Sequence, residues 1–373
     1  MRRRPRLVLL GGAAALALLA PATAGAQSDG AVQPRIVGGS TASISQYPWQ
    51  AAVVLSSAKD SGNAHQRQFC GGSLLTSRIV VTAAHCVFDT DPDCGPNALT
   101  GNPPICTSLT DPGGDGKDKL DPNDVSVVLG YSTLSSVPQS AEASVEAVSY
   151  QSNYIDNYQG DGVPRYDVAY LVLSSPSSQT PIKIAGTDEG SLWDDGSSEQ
   201  ISGWGTTSES PSANTQDTLR AATVDVISDS TCASGSVYGS DFDPNTMLCA
   251  GYLSGGVDTC YGDSGGPLQA PLASGGYRLV GITGWGNGCA ESNAPGVYTR
   301  VAGPTMRSLI QSDVSSLEST YGLPAEGIFG AGSPPASGLT LPAKALKKCK
   351  RIHNKKKRRR CVKRVKERAR AQA

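Results

Sequence analysis

Nine short runs of strand-forming residues, each closed by turn residues, constrain this chain more than any other feature. They are Trp49–Leu55, Ser73–Thr82, Val125–Leu129, Ala143–Ser149, Val168–Leu173, Glu199–Gly203, Arg220–Ile227, Tyr277–Ile282 and Gly296–Val301. Many short strands with few helices argue for an antiparallel sandwich or barrel. One amphipathic helix is expected late, where Met306, Leu309, Ile310 and Val314 fall on one face. No internal repeat is visible. The 373 residues suffice for one large domain or two ordinary ones.

The N-terminus bears on the redox environment. Arg2, Arg3, Arg4 and Arg6 precede an apolar run, Leu7 to Ala20, and then a small-residue site, Ala24-Gly25-Ala26. This is the pattern of a secretory signal peptide, expected over residues 1–26. The run is shorter than the roughly 20 residues that span a bilayer, which disfavours a membrane anchor. The paired arginines are a weak hint of twin-Arg export. In an exported chain, ten Cys read as five disulfides. Cys94 and Cys106 bracket a Pro/Gly-rich loop, and Cys349 and Cys361 bracket the most basic stretch. With no C-x-x-C and three His (His65, His85, His353), a cysteine zinc site is disfavoured.

The net charge of −1 hides two opposite regions. Residues 344–373 hold 16 of the 32 Lys and Arg but a single acid, Glu367, for a net of +15. The first 26 residues hold four Arg and no acid, so 12 basic and 32 acidic residues remain between Gln27 and Ala343, a net of −20. A tail so basic suits an anionic polymer, such as a cell-surface one, or a membrane surface. It has no base-reading motif, so specific nucleic-acid recognition is not expected. Pairing with the acidic body is the alternative. Its periodicity fits a small helical hairpin and a disordered tail equally well. Before it, residues 327–343 read as a Gly/Ala/Ser/Pro-rich linker. Between Phe88 and Asp124 lies an acidic insertion rich in Pro and Gly. Its carboxylates could suit Ca²⁺, but the spacing is not that of an EF-hand and a solvated loop is the better reading.

Three segments carry chemistry. In V-V-T-A-A-H-C, His85 ends an apolar strand; in Y-D-V-A-Y-L-V-L, Asp167 starts one; in D-T-C-Y-G-D-S-G-G-P, Ser264 sits among glycines. Acyl transfer by serine needs a base to take the hydroxyl proton and a carboxylate to fix the base's tautomer. Glycines around the serine let backbone N–H groups turn inward to hold an oxyanion. Singly these are modest signals: a lone His before Cys is more often structural, and an Asp at a strand start is usually a turn residue. Together, in the order His, Asp, Ser, they leave little room for chance.

On these motifs the chain resembles the chymotrypsin–trypsin family of serine endopeptidases, from about Ile36 to about Leu317. The resemblance implies an all-β fold: two six-stranded antiparallel β-barrels with the site between them, and a C-terminal helix. It implies His85 as base, Asp167 as its orienting carboxylate, Ser264 as nucleophile, and the N–H groups of Gly262 and Ser264 as oxyanion donors. R-I-V-G-G is similar to the activation site of trypsin-like zymogens. Residues 27–35 would be a propeptide, and cleavage after Arg35 would free the Ile36 amine to pair with Asp263. Asp258, six residues before Ser264, occupies the place of the carboxylate that selects Arg or Lys, with pocket walls from Gly284, Trp285, Gly286 and Gly296. The family also implies the disulfides Cys70–Cys86, Cys232–Cys249 and Cys260–Cys289, and no cofactor. The partners implied are protein or peptide substrates, and the default oligomeric state is a monomer. Two departures stand out. Gly284 replaces the serine whose hydroxyl helps to hold the triad carboxylate, and the family's calcium loop is not recognisable after V-V-L-G-Y (Val127–Tyr131), so no metal is carried over. The rival reading is a weak or inactive homologue that acts as a surface-binding module. Retention of all three triad residues argues against it.

Overall fold

The computed structural model describes residues 36–89, 118–156, 163–210 and 214–330. The expected signal peptide, Arg35, Cys94, Cys106, Cys349, Cys361 and the basic tail lie outside the described residues.

Twelve strands build two barrels. In the first half of the chain these are β1 (Gln50–Leu55), β2 (Gln68–Leu74), β3 (Ile79–Thr82), β4 (Val125–Leu129), β5 (Ala143–Tyr150) and β6 (Ala169–Leu173). They close in the order β1-β2-β3-β6-β5-β4. The second half supplies β7 (Ser198–Gly203), β8 (Arg220–Ile227), β9 (Met247–Gly251), β10 (Pro267–Pro271), β11 (Tyr277–Trp285) and β12 (Gly296–Thr299). These close in the order β7-β8-β9-β12-β11-β10, the same winding as the first barrel, with every pair antiparallel. Closure removes the exposed edges that an open antiparallel sheet would leave.

Differences from the sequence reading have local causes. The run Ser73–Thr82 is the end of one strand and the whole of another. The chain turns between them, and the N–H groups of Leu75 and Thr76 both return to the Ile79 carbonyl. The rest of β2, Gln68–Gly72, went unread because Gly71 and Gly72 resemble a turn. Both glycines are needed for close approach: a Cβ on Gly71 would stand 3.1 Å from the Cα of Gly266, and one on Gly72 would stand 2.9 Å from Val80. Strands β9 and β10 also went unread, the second for its terminal prolines.

The expected helix, α1, spans Pro304–Thr320, with proline at its first position, where no N–H is required. It buries Met306, Ile310, Val314 and Leu317. Asp313 ties it to the first barrel by accepting from Tyr170 Oη (3.0 Å) and Gln151 Nε2 (2.8 Å). The packed body extends past the expected linker start at residue 327. Ile328 is buried, Arg307 stacks on the Phe329 ring at 3.9 Å, and Ile184 exchanges backbone bonds with Ile328 and Gly330. Two apolar side chains outweigh a glycine-rich context. The insertion is likewise anchored at its ends. Phe88–Asp89 pairs with Asp118–Lys119, and buried Asp124 meets Lys59 at 3.0 Å.

Candidate active site

The site forms where loops from the two barrels meet. His85 lies on a single turn, Ala84–Cys86, directly after β3, and the Cys70–Cys86 disulfide ties that turn to β2. Asp167 lies just before β6 and is buried, at 3 % exposure. Its Oδ2 accepts from His85 Nδ1 at 2.7 Å and its Oδ1 from the His85 backbone N–H at 2.9 Å. A carboxylate can only accept here, so Nδ1 carries the proton and Nε2 is left as the basic nitrogen. Across the barrel boundary, Thr299 Oγ1 donates to the Asp167 carbonyl at 3.0 Å.

Ser264 arrives from the second barrel on a loop pressed against the first. The Gly71 N–H donates to the Ser264 carbonyl at 2.7 Å. A Cβ on Gly265, which has φ +79°, would collide with Thr82 Oγ1 and the Gly71 carbonyl. Only glycine lets the loop seat beside the His85 turn. Within it, Asp263, Gly265 and Gly266 use their N–H groups on the carbonyls of Cys260, Thr283 and Asp263. Those of Gly262 and Ser264 donate to no acceptor among the described residues.

Asp263 itself is 1 % exposed, with its oxygens accepting from Gly205 N–H (2.8 Å) and Cys260 N–H (3.0 Å). Burial pushes its carboxyl up to about 6, and the two backbone bonds oppose the shift. A carboxyl raised on folding contributes stability that is complete below its ordinary value near 3.8 and is lost as pH rises through about 6. A cation beside it would reverse that loss. The N-terminal end of the described chain lies in the same region. Ile36 is 0 % exposed, and the Val37 carbonyl accepts from the Asp258 N–H at 3.1 Å.

A pocket opens beside Ser264. Its lining includes Asp258, Gly284, Trp285, Gly286 and Gly296, so the residues expected to form it are brought together. Asp258 is 2 % exposed, with its oxygens accepting from Thr259 N–H (2.8 Å) and Ala290 N–H (3.1 Å). A Cβ on Gly296 would stand 2.7 Å from Asp258 Oδ1, whereas one on Gly286 would meet nothing closer than 3.4 Å. The first glycine makes room for the carboxylate, and the second keeps the lumen open. Burial raises Asp258 to about 7, opposed by the Ala290 and Thr259 bonds. The Cys260–Cys289 disulfide joins the nucleophile loop to the pocket wall, and Cys232–Cys249 lies within the second barrel. Two residues at the pocket were given no role by the sequence. Tyr238 packs edge-on to the wall residue Trp285 with centroids 4.7 Å apart and stands in no motif. Thr259 lines the pocket beside Asp258 and lies within D-T-C-Y-G-D-S-G-G-P, where nothing distinguished it. Among the described residues, one group has metal-ligand proximity, Cys70, His85 and Cys86, and its thiols are used in the disulfide.

Two closed barrels with a buried His–Asp pair and a glycine-held serine at their junction define a serine endopeptidase. The Trypsin family model matches residues 36–100 and 116–309, interrupted only within the acidic insertion. The chain is 35 % identical to "Trypsin" of Saccharopolyspora erythraea over 71 % of this chain and 93 % of that one. It is 32 % identical to "Trypsin-like protease" of Streptomyces glaucescens over 78 % and 85 %. With the mouse "Hepatocyte growth factor activator serine protease" it shares 32 % identity over 73 % of this chain, but it spans only 36 % of that protein. The chain belongs to the trypsin family of serine endopeptidases.

Gly284 is placed where the resemblance requires. A Cβ there would lie 3.7 Å from Asp167 Oδ2, within reach of a hydroxyl bond, and 3.1 Å from the Val297 carbonyl. Gly284→Ser is therefore expected to add a third donor to the Asp167 carboxylate and raise kcat by about two- to tenfold. Steady-state kinetics on an arginyl amide checks this. An unchanged or lower kcat would mean that the two His85 donors already suffice.

Proposed function

We propose that this endopeptidase is exported, is activated by cleavage after Arg35, and hydrolyses peptide bonds after Arg or Lys. One observation carries the preference: a buried carboxylate, Asp258, at a pocket that also holds Ser264. A guanidinium or ammonium entering this pocket gains a charge-assisted bond in a water-poor site, where no apolar side chain could compensate the carboxylate.

In the reaction, His85 Nε2 takes the Ser264 hydroxyl proton as Oγ attacks the carbonyl carbon. Asp167 holds the ring and stabilises the imidazolium. The carbonyl oxygen becomes an oxyanion held by the Gly262 and Ser264 N–H groups, whose freedom from other acceptors supports this role. His85 then returns the proton to the leaving amine, and an acyl-Ser264 ester remains. Water, deprotonated by His85, releases the acid. Activation follows from Asp263. Cleavage turns the Ile36 nitrogen into a cationic amine, and the buried Asp263 carboxylate is its expected partner.

The tail is read as a surface anchor. Every Lys and Arg among the described residues is engaged in an ion pair, a hydrogen bond or burial. Retention by an anionic surface therefore falls to residues 344–373. The full chain is expected to bind immobilised anionic polymer at low salt and to elute as salt rises, with retention lost on truncation after Ala343. Equal retention of the truncated form would refute the anchor. N-terminal sequencing of the exported protein should read Gln27 for the precursor and Ile36 for the active form.

Asp258→Ser tests the preference. It is expected to cost about 2–5 kcal/mol in kcat/KM for Arg and Lys substrates, some 30-fold to several thousand-fold. A Phe substrate should be little affected. Asp258 binds cations only when ionised. Since its carboxyl lies at about 7 in the empty pocket, benzamidine affinity should fall as pH drops through 7. Equal loss on Arg and Phe substrates, or pH-independent benzamidine binding, would contradict the assignment.

A further inference from the structure

We propose that Gln68, a residue of the first barrel, is a positioning residue for the oxyanion-binding loop of the second. The inference rests on the reading of Ser264 as nucleophile and of the Gly262 and Ser264 amides as oxyanion donors.

Gln68 opens β2 and is 3 % exposed. Its Nε2 donates to the Gly262 carbonyl at 2.7 Å and to the Cys70 carbonyl at 3.1 Å. Both neighbours are carbonyl oxygens, so the amide must present its NH₂ group to them. The second bond holds the side chain against its own strand, and the first reaches across the barrel boundary.

The peptide that joins Gly262 to Asp263 lies between the two donor peptides. Its N–H is held inside the loop by the Cys260 carbonyl at 2.9 Å, and its C=O is held by Gln68. Gly262, at φ +91°, has no Cβ to resist rotation of this unit. Displacement of this unit would shift the Gly262 Cα and carry the adjoining Gly262 N–H away from the developing oxyanion. The same strand also holds the far side of the loop through Gly71 and the Ser264 carbonyl. Strand β2 thus fixes the Gly262–Asp263 and Ser264–Gly265 peptides, which flank the peptide that carries the Ser264 N–H, and Gln68 is its side-chain contribution.

Stability alone gives little reason for a glutamine here. Among the described residues nothing donates to the buried Gln68 Oε1, so the side chain carries a polar atom that these residues leave uncompensated. An apolar chain of the same length would remove that atom but leave the Gly262 carbonyl without its donor. What it would lose is the grip on Gly262.

The test uses the activated full-length protein with Gln68→Met, which keeps length and removes the donor, and Gln68→Glu, which at pH 8 sets a charged acceptor against the carbonyl. Each is measured for kcat and KM on an arginyl peptide amide, and for inhibition by a peptide arginine aldehyde and by benzamidine. The aldehyde forms a tetrahedral adduct whose oxygen needs the donors, whereas benzamidine fills only the cation pocket. We expect kcat to fall about 10- to 100-fold in Gln68→Met and further in Gln68→Glu, less than or comparable to the loss of a donor itself. Aldehyde affinity should fall in step, with KM and benzamidine affinity unchanged. An active wild type with unchanged kcat and aldehyde affinity in Gln68→Met overturns this inference alone. So does equal weakening of both inhibitors, which would indicate general collapse of the site. If Gln68→Met does not fold, the same comparison is read from Gln68→Glu. A wild type with a free Ile36 amine that leaves the arginyl amide uncut overturns the nucleophile reading, and this inference with it.

Discussion

The buried carboxylate of Asp263 is the constraint on which the rest of the site depends. It lies between Gly203 and Gly205, where a Cβ on either would collide with it, and it takes two backbone N–H bonds to stay there. Burying a charge is unfavourable unless it is paired and hydrogen-bonded. The surroundings answer with backbone donors, and in the proposed active form with the Ile36 amine. Because Asp263 adjoins Ser264, whatever seats the carboxylate also sets the serine, its oxyanion donors and the loop that leads to Asp258. In the proposed function, specificity, catalysis and activation are thus linked through one short stretch of backbone.

The two barrels divide the work. The first supplies His85 and Asp167, the proposed proton-handling pair, and the strand that carries Gln68 and Gly71. The second supplies Ser264, the proposed oxyanion donors and the pocket. Each part rests on a closed barrel, which holds loops with little freedom to drift. The close approach depends on absent side chains: Gly71 faces Gly266, and Gly265 faces Thr82. Two disulfides pin the loops involved, Cys70–Cys86 at the His85 turn and Cys260–Cys289 at the pocket. Placing the site at the boundary means that neither barrel completes it alone.

Much of this was legible in the sequence, because the residues proposed to do the chemistry stand in dense motifs. His85, Asp167, Ser264 and Asp258, which the fold brings together, were singled out from T-A-A-H-C, Y-D-V-A and D-T-C-Y-G-D-S-G-G-P, and the three framework disulfides from the same resemblance. Strands with apolar or alternating runs of β-branched residues, such as β4 and β8, were placed correctly. Those with glycine pairs or terminal prolines, most of β2 and all of β10, were missed, since their extended form comes from tertiary packing rather than local preference. Gln68 was illegible for the same reason, because it sits on an unread strand and its partner lies 194 residues away. The end of the body was misread because composition outweighed two residues, Ile328 and Phe329, whose burial only the fold reveals.

The central claim is that Ser264 becomes a nucleophile when the Ile36 amine is freed to meet Asp263. Stoichiometric acylation tests it most directly. Protein cleaved after Arg35 and an uncleavable Arg35→Gln form would each be mixed with an aryl ester of guanidinobenzoic acid, a slow-deacylating arginine mimic. The account predicts a burst of one equivalent from the cleaved form, with the acyl group mapped to Ser264, and little or none from the uncleaved form. An equal burst from both would contradict the role given to Asp263. A folded, cleaved protein with no acyl-Ser264 would contradict the site itself.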